Sequence, residues 1–449
     1  MYTKQKSYIC VAYTKQVKKM DQELIKQIIG ENQEFVQNVK LLQRPFKFED
    51  NGNYVFLGIR RAGKSYLMFQ RIHELMERGT AIEEILYLNF EDERFIGLKS
   101  EDLDDIKRVY EETFSFRPIF FLDEIQIVPG WEKFVRRLAD KNYRVFVTGS
   151  NAKMLSSEIA TTLGGRFLIQ NVYPFSFKEF LNFEGLELKP NWLYTPGIRN
   201  GVVRSFDTYF YYGGFPELLS FEDKRSWLSG LYQKIFFGDL VARYSLRNSD
   251  SMRLLVKKMA ENVMQPSSYN RLKNIVSSAG ESVGVRTIID YVGYLQETWL
   301  IFSLENYAAR FAERESNRKY YFMDNGILNL FIFRPETLLL ENLVAITLHR
   351  QFGEKLYFYN QNIEVDFYMP EESWLIQASY NISDVQTFER EVNGLVKAAK
   401  FLNAERLQIV TRNDERVVEK DGLSIEVLPV WKWLIQIGNC LLYTSPSPR

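Results

Sequence analysis

Cysteine and histidine are almost missing from this chain of 449 residues: Cys10 and Cys440 stand near the two ends, and His73 and His349 are the only imidazoles. Cysteine usage this sparse excludes a disulfide-stapled scaffold and a cysteine-ligated metal centre. Both histidines fall in helical patterns without a second ligand beside them, which reads as ordinary core or surface use. Net charge is missing too, because 57 Lys and Arg balance 57 Asp and Glu. No global field therefore draws the protein to nucleic acid or an anionic membrane, and such a partner would need a local patch. Long apolar runs are also absent: the strongest, such as IFFL at 119–122, fall far short of the roughly 20 residues of a membrane helix. With no basic-then-apolar stretch at the start, the expectation is a cytoplasmic protein. Apolar residues still make up 46% and aromatics 15%, and at roughly 100–200 residues per domain the length allows about three aromatic-rich cores.

The two ends read as foreign to the fold. Residues 440–449, CLLYTSPSPR, resemble a translated sequencing adapter, and a Ser/Pro composition of this kind packs no core. Residues 1–19 carry no helical period, whereas Met20 opens the amphipathic pattern MDQELIKQIIGENQEFVQNV. Translation is expected to begin at Met20, and domain one to span 20–180.

The strongest motif lies at 54–68, YVFLGIRRAGKSYLM: an apolar run, then Gly58-x-x-x-x-Gly63-Lys64-Ser65, then a helical pattern. This is a Walker A loop in its strand–loop–helix context. Gly58 and Gly63 permit the tight backbone path, and the loop amides with the helix N-terminus face phosphates. Gly58, Arg61, Ala62, Gly63, Lys64, Ser65 and Tyr66 form the expected nucleotide-binding set. Lys64 is expected to reach the β- and γ-phosphates of ATP, and the Ser65 hydroxyl to ligate Mg²⁺. Arg60 and Arg61 read either as phosphate contacts or as solvated side chains.

Further apolar runs at 85–90 and 119–122 read as parallel strands, and the second ends in Asp123-Glu124. A strand buried on both faces delivers such residues at its carboxyl end. Asp123 is expected in the Mg²⁺ shell and Glu124 as the general base that polarises the attacking water. The next strand, at 144–147, runs into Thr148, Ser150 and Asn151, candidate γ-phosphate sensors or plain turn chemistry. Arg166 precedes a strand-like FLIQNVYPFSF. It reads either as an arginine finger, in cis or on a neighbouring subunit, or as a surface residue.

LGIRRAGKSYL, LNFEDERF, FFLDEIQ, VTGSNAKMLSSEIATTLGGRF and YPFSFKEFL, in this order, resemble a widespread family of uncharacterised prokaryotic AAA-type P-loop ATPases. The resemblance runs from about residue 20 to 437. It implies an α/β fold: a five-stranded parallel ATPase sheet with helices on both faces, a helical lid, a winged helix, and an end domain related to restriction endonucleases.

The expected divisions are a lid or linker over 181–249, a winged-helix region over 250–310 and the nuclease-like domain over 311–438. YYGGFPELL reads as a boundary turn. Residues 250–310 pattern as three helices and a hairpin, but they hold seven Lys/Arg against six Asp/Glu and place only Arg286 on the would-be recognition helix. Packing or coupling is therefore favoured over reading a DNA groove. In the end domain Glu341 and Asp366 match nuclease carboxylates, which bind Mg²⁺ beside a following E-x-K. Here that slot is Gln377-Ala378-Ser379, so a degenerate site is expected. Three functions stay open: an ATPase that moves C-terminal domains against an unknown protein partner, as monomer or homo-oligomer; an ATP-binding switch with little turnover; and an ATP-regulated nuclease or DNA-binding protein.

Overall fold

The computed structural model describes residues 21–152, 161–280, 282–310 and 317–440, so the terminal segments read above as foreign lie outside it apart from Cys440. Five apolar runs form a parallel sheet: β1 (Asn53–Leu57), β2 (Ile85–Asn89), β3 (Ile119–Asp123), β4 (Val145–Gly149) and β5 (Phe167–Asn171). Their order is β2-β3-β4-β1-β5. β1 to β4 are buried almost throughout, the edge strand β2 included, which is why they read as continuous apolar sequence. Helices α1 (Gln22–Asn38), α2 (Lys64–Glu77), α3 (Ser100–Phe114) and α4 (Trp131–Asp140) cover the sheet. Asp21 caps α1 by accepting from the Glu23 amide. All four crossovers leave the carboxyl ends of β1, β3 and β4 side by side, and that edge carries the site.

The strand-like run at 167–177 stops at Asn171. Pro174 removes a ladder donor, and Ser176 with Glu179 forms a capping box that starts α5 (Phe177–Phe183). Two helices follow, α6 (Pro196–Tyr212) and α7 (Lys224–Lys234), the latter continuing into a π-helical turn, Ile235–Ala242.

The remaining chain builds a mixed sheet. Its helical part comprises α8 (Ser249–Glu261), α9 (Tyr269–Ser278) and α10 (Val285–Glu297), with β6 (Ser267–Ser268), β7 (Ile301–Asn306) and β8 (Asn317–Phe322). After α11 (Asn325–Asn329) and α12 (Glu336–Phe352) come β9 (Tyr357–Asn360), β10 (Glu364–Met369) and β11 (Trp374–Ala378). The chain closes with α13 (Val385–Leu402), β12 (Arg406–Thr411), β13 (Arg416–Lys420), β14 (Leu423–Pro429) and α14 (Val430–Cys440). The nine strands order as β13-β14-β12-β11-β10-β9-β7-β8-β6.

Two expected boundaries are not breaks in the structure. The division at 310–311 is crossed by the sheet, because β7 pairs antiparallel with β8 and parallel with β9. The YYGGFPELL segment is a packed junction: the Phe175 amide donates to the Gly214 carbonyl at 2.7 Å, and the Gly214 amide donates to Asp324 at 2.8 Å. One apolar core runs from Ile25 on α1 to Ile437 on α14, with a smaller second core between α13 and the end-domain sheet. Among the described residues no helix is long and apolar enough to cross a membrane.

Candidate nucleotide site

The loop between β1 and α2 is shaped by close approach. A Cβ on Gly58 would lie 2.0 Å from the Val172 carbonyl oxygen, because the Val172 amide bonds Leu57 at 2.6 Å just beyond β5. Gly63, at φ +94°, turns the chain into α2 in the left-handed region that glycine tolerates. Lys64 opens the helix and is buried; its Nζ donates to the carbonyls of Gly58 (3.1 Å) and Ile59 (3.3 Å) and stands 3.3 Å from Glu124 Oε1. Ala62 is buried, its carbonyl held by Arg44 at 3.1 Å, while Tyr66 points outward.

Asp123 and Glu124 arrive at the carboxyl end of β3 beside this loop. Asp123 is buried; it accepts from Tyr87 at 2.9 Å, from Thr148 Oγ1 and from the Ser65 hydroxyl. Burial first, then the neighbouring Glu124 charge, pushes the Asp123 carboxyl above its usual range. Thr148 is shared, since its Oγ1 also accepts from the Glu124 amide at 2.8 Å. Glu124 sits at φ +53°, a conformation that turns its side chain toward the loop. Its Oε2 accepts from Gln126 at 2.5 Å and from the Ser150 amide at 3.2 Å. Burial disfavours this charge, but Lys64, Gln126 and Arg60 outweigh burial and hold the carboxyl down at about 2. A hard oxygen pair, Ser65 and Asp123, with Lys64 drawn to Glu124 instead, fits a divalent magnesium ion.

Arg60 is neither solvated nor pointed at a phosphate. It clamps Asp239 on the π-helical turn through Nε (2.9 Å) and Nη2 (3.1 Å), and meets Glu91 at 2.5 Å. Arg243, one helical turn on, donates to Asp239 at 3.1 Å and to the Ser150 hydroxyl at 3.4 Å. Its Nη1 is buried without a hydrogen-bond partner. Arg61, at φ +66°, pairs with Glu217 at the surface. Asn151 is buried just after Ser150.

Arg166 is not brought to the loop within its own chain. It precedes the first residue of β5, which pairs with Asn53 at the start of β1, so it lies at the opposite end of the sheet. There it pairs with Asp140 at 2.5 Å. Sequence reasoning missed Tyr87, Asp239 and Arg243. The Asp239–Arg243 spacing of four on one helical face was the available signal.

In the end domain Glu341 on α12 and Asp366 on β10 do converge, and both are buried. Gln377 accepts from the Asp366 amide at 3.2 Å, and the Ser379 amide donates to the Val410 carbonyl at 3.0 Å, so neither replaces the E-x-K groups. Sequence reasoning also missed Lys319, which reaches both carboxylates from β8. The two histidines are structural: His73 bonds the Val36 carbonyl at 2.7 Å, and His349 stacks on Phe302 at 4.2 Å.

An AAA domain profile matches residues 50–181, and a domain of unknown function matches 203–337. An uncharacterised protein of Methanocaldococcus jannaschii is 33% identical over 91% of this chain and 95% of its own length. One from Haemophilus influenzae is 31% identical over 88% of this chain and 97% of its own length. Among solved structures, a Walker-type ATPase of Pyrococcus abyssi is 14% identical with TM-score 0.36, covering 70% of this chain and 95% of that one. The Aeropyrum pernix Orc1 protein in complex with DNA is 16% identical with TM-score 0.30, over 72% and 93%.

Proposed function

Since this chain belongs to a family of archaeal and bacterial proteins that join an AAA domain to a domain of unknown function, we propose that it binds ATP with Mg²⁺ and hydrolyses it. The observation that carries this reading is the meeting of Lys64, Ser65, Asp123 and Glu124 at one sheet edge. Ser65 and Asp123 would hold the ion, which when bound offsets phosphate charge. The Lys64 ammonium, now held by two loop carbonyls and Glu124, is the group that phosphates would recruit. Its departure relieves the clamp on Glu124 and raises the basicity of that carboxylate toward what a general base needs. Thr148 fixes Asp123 and the Glu124 backbone together, and Ser150 aims Glu124.

Coupling would pass through Arg60. The same loop that cradles phosphates is tied by Asp239 to the π-helical turn, and Arg243 ties that turn back to Ser150. A change in loop position therefore pulls on α7 and the helical part of the mixed sheet. The order helix–strand–helix–helix–strand–strand over α8 to β8, with β8 between β7 and β6, supports the winged-helix reading. Its near-neutral charge favours a protein partner over DNA. A homo-oligomer in which Arg166 serves a neighbouring site remains part of the proposal; mixing Arg166→Ala with Lys64→Ala subunits should then restore turnover, and no rescue removes that part.

A slow switch is the second reading, favoured by the 3.3 Å Lys64–Glu124 pair, which holds the would-be base as a counter-ion. Phosphate release by wild type, Lys64→Ala and Glu124→Gln, with and without Mg²⁺ and DNA, separates the two. The ATPase reading expects wild-type turnover, lost binding in Lys64→Ala, and in Glu124→Gln retained binding with a rate lower by roughly 100-fold or more. Equal, negligible rates in wild type and Glu124→Gln would leave only the switch.

A further inference from the structure

A cavity of about 680 Å³ opens in the mixed sheet. It is lined by the carboxylates of Glu341, Glu364, Asp366 and Glu391, the last paired with Arg390 at 2.7 Å, and by Gln377 and Ser379. The first three carboxylates converge on one point, which ordinarily demands a cation. Here the chain brings its own. Lys319 leaves β8, passes over the Phe358 ring, and puts Nζ 3.3 Å from Asp366, 3.4 Å from Glu364 and 3.5 Å from Glu341. The side chain is 1% exposed.

An ammonium has three donors and suits three acceptors at about 3 Å, whereas Mg²⁺ or Mn²⁺ draws oxygens in to roughly 2.0–2.2 Å. With Lys319 in place the carboxylates keep the wider spacing. Asp366 spends Oδ1 on Lys319 and Oδ2 on the Ala378 amide at 3.0 Å. Glu341 Oε1 accepts from Tyr321 at 2.7 Å, while its Oε2 is buried without a partner. Gln377 turns its carbonyl oxygen to the Asp366 backbone rather than to the centre of the cage.

We propose that Lys319 is the resident cation of this site, standing where a divalent ion would otherwise bind, so that the carboxylate cage is an intramolecular ion cluster and not a hydrolytic centre. The cluster joins β8 of the helical part to β10 and α12 of the end domain. The chain has no E-x-K there, and the counter-charge of the two carboxylates comes from another strand. Nothing in this cluster depends on ATP hydrolysis.

The probe is Mn²⁺ alone, followed by electron paramagnetic resonance on the full chain carrying Ser65→Ala and Asp123→Asn, which disarm the phosphate loop. With Lys319 present, no bound Mn²⁺ is expected up to about 1 mM, the weak end of protein cation sites. Adding Lys319→Gln should uncover one site per chain that Asp366→Asn removes again. A Mn²⁺ site in the Lys319-containing protein that Asp366→Asn or Glu341→Gln abolishes overturns the proposal. So does a folded Lys319→Gln protein, checked by thermal unfolding, that gains no site. Where Lys319→Gln does not fold, the comparison of the Lys319-containing protein with its Asp366→Asn variant decides.

Discussion

At the residue scale, Thr148 shows how one hydroxyl serves two carboxylate-bearing positions. It donates to Asp123 and accepts from the Glu124 amide, so Thr148→Val keeps shape and loses both bonds. Groups that orient a metal ligand are worth roughly 10–100-fold in metal affinity or activity. Mg²⁺-dependent turnover of Thr148→Val should fall by that factor with ATP binding nearly unchanged, read from kcat and nucleotide titration. His349 gives a pH prediction. Burial pushes its imidazole down to about 4, against the Gly353 backbone bond that favours the charged form. A depressed folded pKa means stability that is complete above about 6.5 and is lost as pH falls toward 4. The slope is about 1.4 kcal/mol per pH unit, or roughly 3 kcal/mol over the window. His349→Phe, which keeps a ring on Phe302, should flatten denaturant midpoints between pH 6.5 and 4; an unchanged slope would assign the acid sensitivity elsewhere.

At the element scale, two glycines in helical surroundings have opposite roles. Gly30 lies exposed inside α1, and an added methyl there would meet nothing within 4 Å, so Gly30→Ala should stabilise by about 1 kcal/mol. Gly213 ends α6 at φ +78°, and its Cβ would meet Asp324 Oδ1 at 2.0 Å. That carboxylate cannot retreat, since the Gly214, Gly326 and Ile327 amides all bond it. Gly213→Ala should cost about 3 kcal/mol from strain and overpacking together, measured by urea unfolding. The GGFPE signal was visible in the sequence as a turn. Its use as a weld between the first sheet and the mixed sheet was not, because Asp324 lies 110 residues on.

At the scale of the whole molecule, a buried ion network ties the halves together. Glu179 on α5 accepts from Arg44 at 2.7 Å and from Arg350 on α12 at 2.9 Å. Against burial, the Arg350 and Arg44 guanidiniums hold the Glu179 carboxyl well below the usual carboxylate range. Glu179→Ala leaves Arg44 and the quarter-exposed Arg350 without their carboxylate, which should cost about 3 kcal/mol, the low end for a broken buried pair. With one apolar core spanning both sheets, wild type should unfold in a single transition by two probes. Glu179→Ala should shift the midpoint and split that transition.

The parallel strands, the glycine loop at 58–65 and the Asp123–Glu124 pair were legible in the sequence because each depends on local pattern: an apolar run, glycines at fixed spacing, acids at a strand end. The absence of an E-x-K at Gln377-Ala378-Ser379 was equally local. Tertiary structure decided what no window of sequence contains. It put Arg60 on Asp239, Arg166 at the far end of the sheet, Glu179 between Arg44 and Arg350, and Lys319 among three carboxylates. Charge pairing acts through space over a few ångströms, and only the folded chain brings side chains separated by tens to hundreds of residues that close.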